Sequence, residues 1–323
     1  MKTNTTFGDF TDTVPSGHGP TYSTIITPAD YNRIITDEHL YIAQADRVLR
    51  DLIITQRDER GAREVVEVGC GPARLLPLLS TVEGVHLTGV DYDEAFIEYA
   101  RLQMPQLDII LADVAAYRHA TAVDVFVSQG FHHHVAKGVA CQNYLQNLYG
   151  QLNVGGSYIV SDEFLPHYES EHERKVNAVV WYSHIIAAAQ KKGYDYLAQE
   201  EAKTLLDDLF EGDCVGWEHF KSVGKIDLVL LCAREINSLA MRANCESIRG
   251  VQEKAGELLD RLYTYSEKGD KEEASVRLSR GDFKICEREF RSEVEEVGFC
   301  VEKKVRIGPN RNIGGMEVYV LKK

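Results

Sequence analysis

Between about Arg63 and Phe164 short β-branched runs alternate with helical stretches, and no other feature of the chain restricts its fold as strongly. The runs are Glu64 to Val68, Val85 to Val90, Leu107 to Leu111, Val123 to Ser128 and Ser157 to Val160. The segments around Ala73 to Leu79, Asp93 to Gln103 and Gln142 to Leu152 carry a helical period. Strand and helix in alternation predict a parallel sheet covered on both faces, with its sites at the carboxyl ends of the strands.

The flanks add three further regions. From about Ala29 to Ile54 the pattern is helical, with Ala45, Val48, Leu49 and Leu52 on one stripe. From about Leu165 to Cys286 the strand signal disappears and helical runs dominate, among them Val176 to Ala189, Ala202 to Phe210, Ile226 to Met241 and Val251 to Tyr263. That is too long for a connection and predicts a helical cap over a substrate. The end returns to the core with a helix bearing Phe290, Val294 and Val297, a strand from about Phe299 to Ile307, a Gly-Pro-Asn turn and a strand from Met316 to Leu321. One of these two strands is expected to run antiparallel. The whole predicts an α/β fold: a doubly wound, seven-stranded, mostly parallel, Rossmann-like sheet with a helical cap inserted after the fifth strand. The expected divisions are an N-terminal helical lid over 1–60, a nucleoside-binding core over 61–164, the cap over 165–286 and a returning segment over 287–323.

Composition narrows the function classes. A formal net charge of -14 repels a phosphate backbone, and basic residues cluster only in short runs such as Lys303 to Arg306, so no nucleic-acid partner is expected. No stretch approaches the roughly 18 apolar residues of a membrane span, and the first twenty residues lack the apolar block of a secretory signal. The seven cysteines are odd in number, scattered and never in a C-x-x-C pair, which argues against a disulfide framework or a zinc site. A soluble cytoplasmic protein is the expectation.

The sharpest local signal is Val65-Val66-Glu67-Val68-Gly69-Cys70-Gly71-Pro72-Ala73, a buried strand ending in a Gly-rich turn that opens a helix. About twenty residues on, Val90 and Asp91 end the second strand, where a carboxylate can take both hydroxyls of a ribose. A nucleoside cofactor is implied, and two classes share this logic. A dinucleotide fingerprint wants a small residue at its sixth position, where this chain has Arg74. Glu67, two residues before the first Gly, also sits poorly beside a pyrophosphate but suits a cation. The balance favours a sulfonium cofactor.

At this point the chain resembles the class I S-adenosylmethionine-dependent methyltransferases. Beside the Gly-rich turn, four stretches are similar in order and spacing: Gly89-Val90-Asp91-Tyr92-Asp93, Ala112-Asp113-Val114, Ser128 to Val135, and Leu152 to Val160. The resemblance spans roughly Glu64 to Glu163. It departs from the pattern at Asn153, where Lys or Arg is usual. It implies that Glu67, Gly69 and Gly71 lie beside the methionine part, and that Asp91 holds the ribose hydroxyls. Tyr92 flanks the adenine, Asp113 and Val114 meet the adenine edge, and Ser128 and Gln129 face the sulfonium.

His132-His133-His134 invites a metal reading, but consecutive side chains diverge and no Cys or carboxylate cluster in the sequence completes a recognisable site, so no metal is expected. His133 or His134 is better placed as a proton acceptor at the mouth of an acceptor pocket, with Glu163, just past the fifth strand, as a second candidate. Within the cap, Tyr182 and His184 are the candidates for lining that pocket, although the helix around them is apolar on nearly every side. Tyr22 and Tyr31 are candidates for closing over it. The expected function is transfer of a methyl group from S-adenosylmethionine to an O or N atom of a small molecule, by a homodimer acting in specialised metabolism. Methylation of protein or RNA, or retention of the cofactor without methylation, are the competing readings.

Overall fold

The protein is described by a computed structural model, which covers residues 22–24, 26–135, 138–210, 221–243, 248–266 and 284–323. Seven strands form one sheet: β1 (Glu64–Val68), β2 (His86–Asp91), β3 (Asp108–Leu111), β4 (Val123–Gln129), β5 (Leu152–Phe164), β6 (Cys300–Asn310) and β7 (Gly314–Lys322). Their spatial order is β3, β2, β1, β4, β5, β7, β6. The pairs from β3 to β5 are parallel, whereas β7 runs antiparallel to both β5 and β6. One strand of the closing pair is thus reversed, as the sequence pattern predicts. The chain leaves β1 in one direction and returns from β3 to β4 on its other side, so the strand order reverses between β1 and β4. That is where an open α/β sheet places its ligand crevice.

The central strands are short runs of Val and Ile because both their faces are covered. One layer packs α2 (Ile42–Arg60), α3 (Leu76–Leu79) and α4 (Glu94–Gln103) against Val65, Val125, Val127 and Ile159. The other packs α5 (Val139–Gln151) and a later helix, α10 (Glu287–Val297), against Val66, Val68, Phe126 and Val160. Gly61 ends α2 in the left-handed conformation, its N–H returned to the carbonyls of Arg57 and Gln56.

Two helical expectations are corrected. The helix after the Gly-rich turn begins at Leu76 rather than Ala73, because Ala73 itself has φ +60° and stays in the turn. The N-terminal helical stretch is not continuous: α1 (Pro28–Arg33) passes into a π-helical turn (Ile34–Glu38), and the chain breaks at Tyr41, whose φ is +70°. α2 then runs six residues beyond the expected end at Ile54.

After β5 the chain forms α6 (Glu171–Lys192), α7 (Asp195–Phe210), α8 (Lys225–Arg242) and α9 (Ile248–Ser266). These helices bury a core of their own, including Val179, Ile186, Leu205, Val229 and Leu258. α6 is apolar almost all round because it runs through the middle of this group. No helix among the described residues is long and apolar enough to cross a membrane.

Candidate functional site

At the end of β1 three consecutive odd positions take positive φ: Gly69 at +68°, Gly71 at +52° and Ala73 at +60°. Gly69 is wedged against Phe131, whose ring a Cβ at position 69 would overlap. The Gly71 N–H donates to Asp91 Oδ2 (2.8 Å), and the Asp93 N–H donates to Asp91 Oδ1 (2.9 Å). Asp91 thereby ties the ends of β1 and β2 into one cradle. Burial pushes the Asp91 carboxyl above its ordinary pKa, against the pull of these backbone donors.

Glu67 is 2% exposed, and its Oε2 accepts no hydrogen bond within the described residues. Burial drives its carboxyl well above the usual carboxylate range, and the Arg74 guanidinium only partly opposes that. A buried acceptor of this kind is costly unless a donor or cation reaches it. The cradle therefore fits a cofactor with a cationic group beside the Gly-rich turn. Arg74 does not crowd the turn, because its guanidinium reaches back to α2 and grips Asp46 through both carboxylate oxygens (2.5 and 2.9 Å). That pair is legible only in three dimensions, since Asp46 is 28 residues away.

Around the cradle, Tyr92 is half-buried at the end of β2, and burial raises its hydroxyl pKa. Asp113 Oδ1 accepts the Ala115 N–H (2.8 Å), so this carboxylate shapes its own turn. Val114 is 2% exposed, its side chain lies in the core and its carbonyl accepts from Asn147 Nδ2 (2.6 Å). The reading of Ser128 is corrected: its hydroxyl is fully buried and bonds Tyr158 Oη (2.7 Å) beneath the sheet, because alternation along β4 turns it to the face of Phe126. Gln129, one residue on, faces the opposite layer, and its Oε1 is buried without a hydrogen-bond partner among the described residues.

Beyond β4 the three histidines form one 3-10 turn (His132–His134) and go different ways. His132 is buried between Tyr144 Oη, which meets its Nδ1, and Glu293 Oε2, 3.0 Å from its Nε2. Together with Cys141, His132 and Glu293 form a trio with metal-ligand spacing that no sequence signal discloses. His133 Nδ1 bonds Asp162 Oδ1, and the His133 N–H donates to Asp162 Oδ2 (3.2 Å). Asp162 is wholly buried. Burial alone would raise its carboxyl, but the charge and hydrogen bond of His133 hold it down to about 2.

His133, His134, Gln129 and Glu163 line a cavity of about 540 Å³, bounded on one side by Arg74 and Tyr31 and on another by Leu197, Glu200 and Glu201 of α7. Glu163 Oε2 accepts the Trp181 Nε1–H (3.2 Å) and lies 3.2 Å from Lys284 Nζ, which also donates to Tyr182 Oη (2.7 Å). The placement of Tyr182 and His184 is corrected. Tyr182 is 1% exposed and its hydroxyl accepts from Lys284, and His184 sits behind Tyr41, whose hydroxyl is 2.8 Å from its Nε2. Both lie on a helix buried on every side, so neither side chain reaches the cavity wall. Tyr31 does line the cavity, whereas the side chain of Tyr22 lies outside the described residues.

The sequence reasoning passed over Asp162, His39, Lys284 and Glu201. For Asp162 a signal exists: a carboxylate inside the buried run Tyr158 to Phe164 needs a partner, and the adjacent histidines supply it.

The methyltransferase domain family matches residues 65–156. The trans-aconitate 2-methyltransferase of Delftia acidovorans (strain DSM 14801 / SPH-1) is 31% identical over 99 residues, 29% of this chain and 36% of that protein. That of Paracidovorax citrulli (strain AAC00-1) is 37% identical over 57 residues, 17% of this chain and 22% of that protein. The chain thus spans well under half the length of these curated relatives. Among solved structures, the sugar N-methyltransferase KedS8 from Streptoalloteichus sp ATCC 53650 is 17% identical with a TM-score of 0.38, covering 53% of this chain and 63% of that one. Residues 65–156 thus match a methyltransferase domain.

Proposed function

We propose that the whole protein transfers a methyl group from S-adenosylmethionine to an O or N atom of a small molecule in specialised metabolism, as a cytoplasmic homodimer. Residues 1–60 act as a lid, 61–164 hold the cofactor, 165–286 cap the acceptor and 287–323 complete the sheet. The observation that carries the reading is the junction of two sites. The cradle of Glu67, Gly69, Gly71 and Asp91 opens beside a cavity whose wall presents His133 backed by a buried Asp162.

When bound, S-adenosylmethionine supplies an electrophilic methyl carbon on a cationic sulfur. Glu67 faces the cationic end, Asp91 the ribose hydroxyls and Tyr92 the adenine, with Asp113 and the Val114 backbone at the adenine edge. Gln129 takes the place beside the sulfonium that Ser128, turned into the core, cannot take. His133 receives the proton that the acceptor oxygen or nitrogen loses as it takes the methyl. Asp162 holds its Nδ1, so the ring meets the acceptor through Nε2. His134 and Glu163 shape the acceptor pocket. Alignment and exclusion of water by the cap supply the rest of the acceleration.

Thermal melting with S-adenosylmethionine, S-adenosylhomocysteine and NADH tests the cofactor. The first two are expected to raise the melting temperature and NADH to leave it unchanged. Asp91→Ala is expected to weaken S-adenosylmethionine by at least about tenfold. Stabilisation by NADH alone, or full affinity in Asp91→Ala, contradicts the assignment.

A further inference from the structure

We propose that Asn32, on α1, holds the cofactor: its Oδ1 accepts a hydrogen bond from the ammonium group in the methionine part of S-adenosylmethionine. This deepens the methyltransferase reading above and rests on it. Asn32 belongs to none of the motifs of the Gly-rich core, yet its Nδ2 donates to the Pro72 carbonyl in the turn itself (3.0 Å). A carbonyl can only accept, so that bond fixes which end of the amide is the nitrogen. Asn32 Oδ1 is then buried with no hydrogen-bond partner among the described residues. Glu67 Oε2, where β1 enters the same turn, is in the same state.

The N-terminal segment is seated on the cradle at further points. The Ser23 N–H donates to Asp93 Oδ2 (2.9 Å), and the Asp93 N–H in turn donates to Asp91. The Tyr31 ring lies 5.2 Å from that of Phe96, and Phe96 covers Gly71, where a Cβ would meet the ring at 3.6 Å. α1 thus rests on the turn and on the end of β2, which puts Asn32 beside the cofactor rather than over the acceptor. Two buried acceptors on one turn call for a donor. At the methionine end of the cofactor the carboxylate only accepts and the sulfonium carries no N–H or O–H. The ammonium alone donates there, and its several hydrogens can serve an amide oxygen and a carboxylate together.

The test titrates three ligands calorimetrically into the full chain: S-adenosylhomocysteine, its analogue with hydrogen in place of the amino group, and methylthioadenosine, which lacks the whole amino-acid end. Asn32→Ala is expected to weaken S-adenosylhomocysteine about tenfold and to leave the other two within about twofold. Asn32→Leu, which keeps the volume beside the turn, is expected to show the same selective loss. Deleting the amino group from the ligand is expected to cost the wild type about tenfold more than it costs either variant. Unchanged S-adenosylhomocysteine affinity in the variants overturns the proposal. Equal weakening of all three ligands overturns it too, since Asn32 then only seats α1. If S-adenosylhomocysteine fails to bind the wild type, the methyltransferase reading falls and this inference with it. If it binds and the selective loss is missing, only this inference falls.

Discussion

The carboxylate of Asp162 holds His133 at two points, taking the ring through Nδ1 and the backbone through its N–H. The first contact fixes which nitrogen carries the proton and the second fixes where the ring sits, so together they aim Nε2 with little freedom. Asp162→Asn keeps the volume but offers an amide to a nitrogen that needs an acceptor. The expected outcome in steady-state kinetics is a fall in kcat of about a hundredfold or more with S-adenosylmethionine affinity unchanged. Equal losses in kcat and cofactor affinity would instead mark Asp162 as purely structural.

The same pair sets an acid limit. Asp162 is held at about 2 in the folded protein against an ordinary 3.8, so between these values the unfolded chain binds more protons. The contribution to stability is complete above about pH 4 and is lost as pH falls through about 2. Urea midpoints of the wild type are expected to drop across that window, and those of Asp162→Asn to drop less steeply.

Glu67 carries a raised carboxyl pKa and an oxygen with no hydrogen bond among the described residues, so the protein without cofactor holds a proton there more readily than an exposed glutamate. Binding of a cationic group is expected to expel that proton. Calorimetry in buffers of different ionisation enthalpy measures the release directly. In Glu67→Gln the release is absent, the apo protein melts higher, and S-adenosylmethionine binds at least about tenfold more weakly.

Gly69 combines φ +68° with the Phe131 ring where a Cβ would stand. Gly69→Ala is expected to cost about 2 kcal/mol or more in denaturant unfolding. Gly193→Ala serves as a comparison, since it shares the positive φ but has open space around it, and should cost about half as much.

Arg74 and Asp46 are both less than 10% exposed on their side chains and pair through two hydrogen bonds. Arg74→Ala leaves the aspartate uncompensated and is expected to lower unfolding stability by about 3 kcal/mol. The double variant Arg74→Met, Asp46→Leu is expected to recover most of that, which chemical denaturation at neutral pH decides.

The core was legible because strands buried on both faces must be runs of Val, Ile and Leu, and because Glu67, Gly69, Gly71 and Asp91 follow one another at strand ends. Ala73 was not, since nothing in its chemistry announces a positive φ, and the helix begins three residues late. Tyr41 breaks the N-terminal helix for the same unannounced reason. Within the cap, α6 has no polar stripe, so the sequence cannot say that Tyr182 and His184 point inward. Ser128 shows the cost of a one-residue parity: it and Gln129 look alike in sequence and face opposite layers. Long-range partners such as Asp46 for Arg74 and Lys284 for Glu163 leave no local trace.

The central claim is tested most directly by following label from methyl-labelled S-adenosylmethionine into an extract of the source cells, with small molecules separated from protein and RNA. The account predicts label in the small-molecule fraction, lost in Asp91→Ala and strongly reduced in Asp162→Asn. Label confined to protein or RNA, or bound cofactor with no transfer to any fraction, would contradict it.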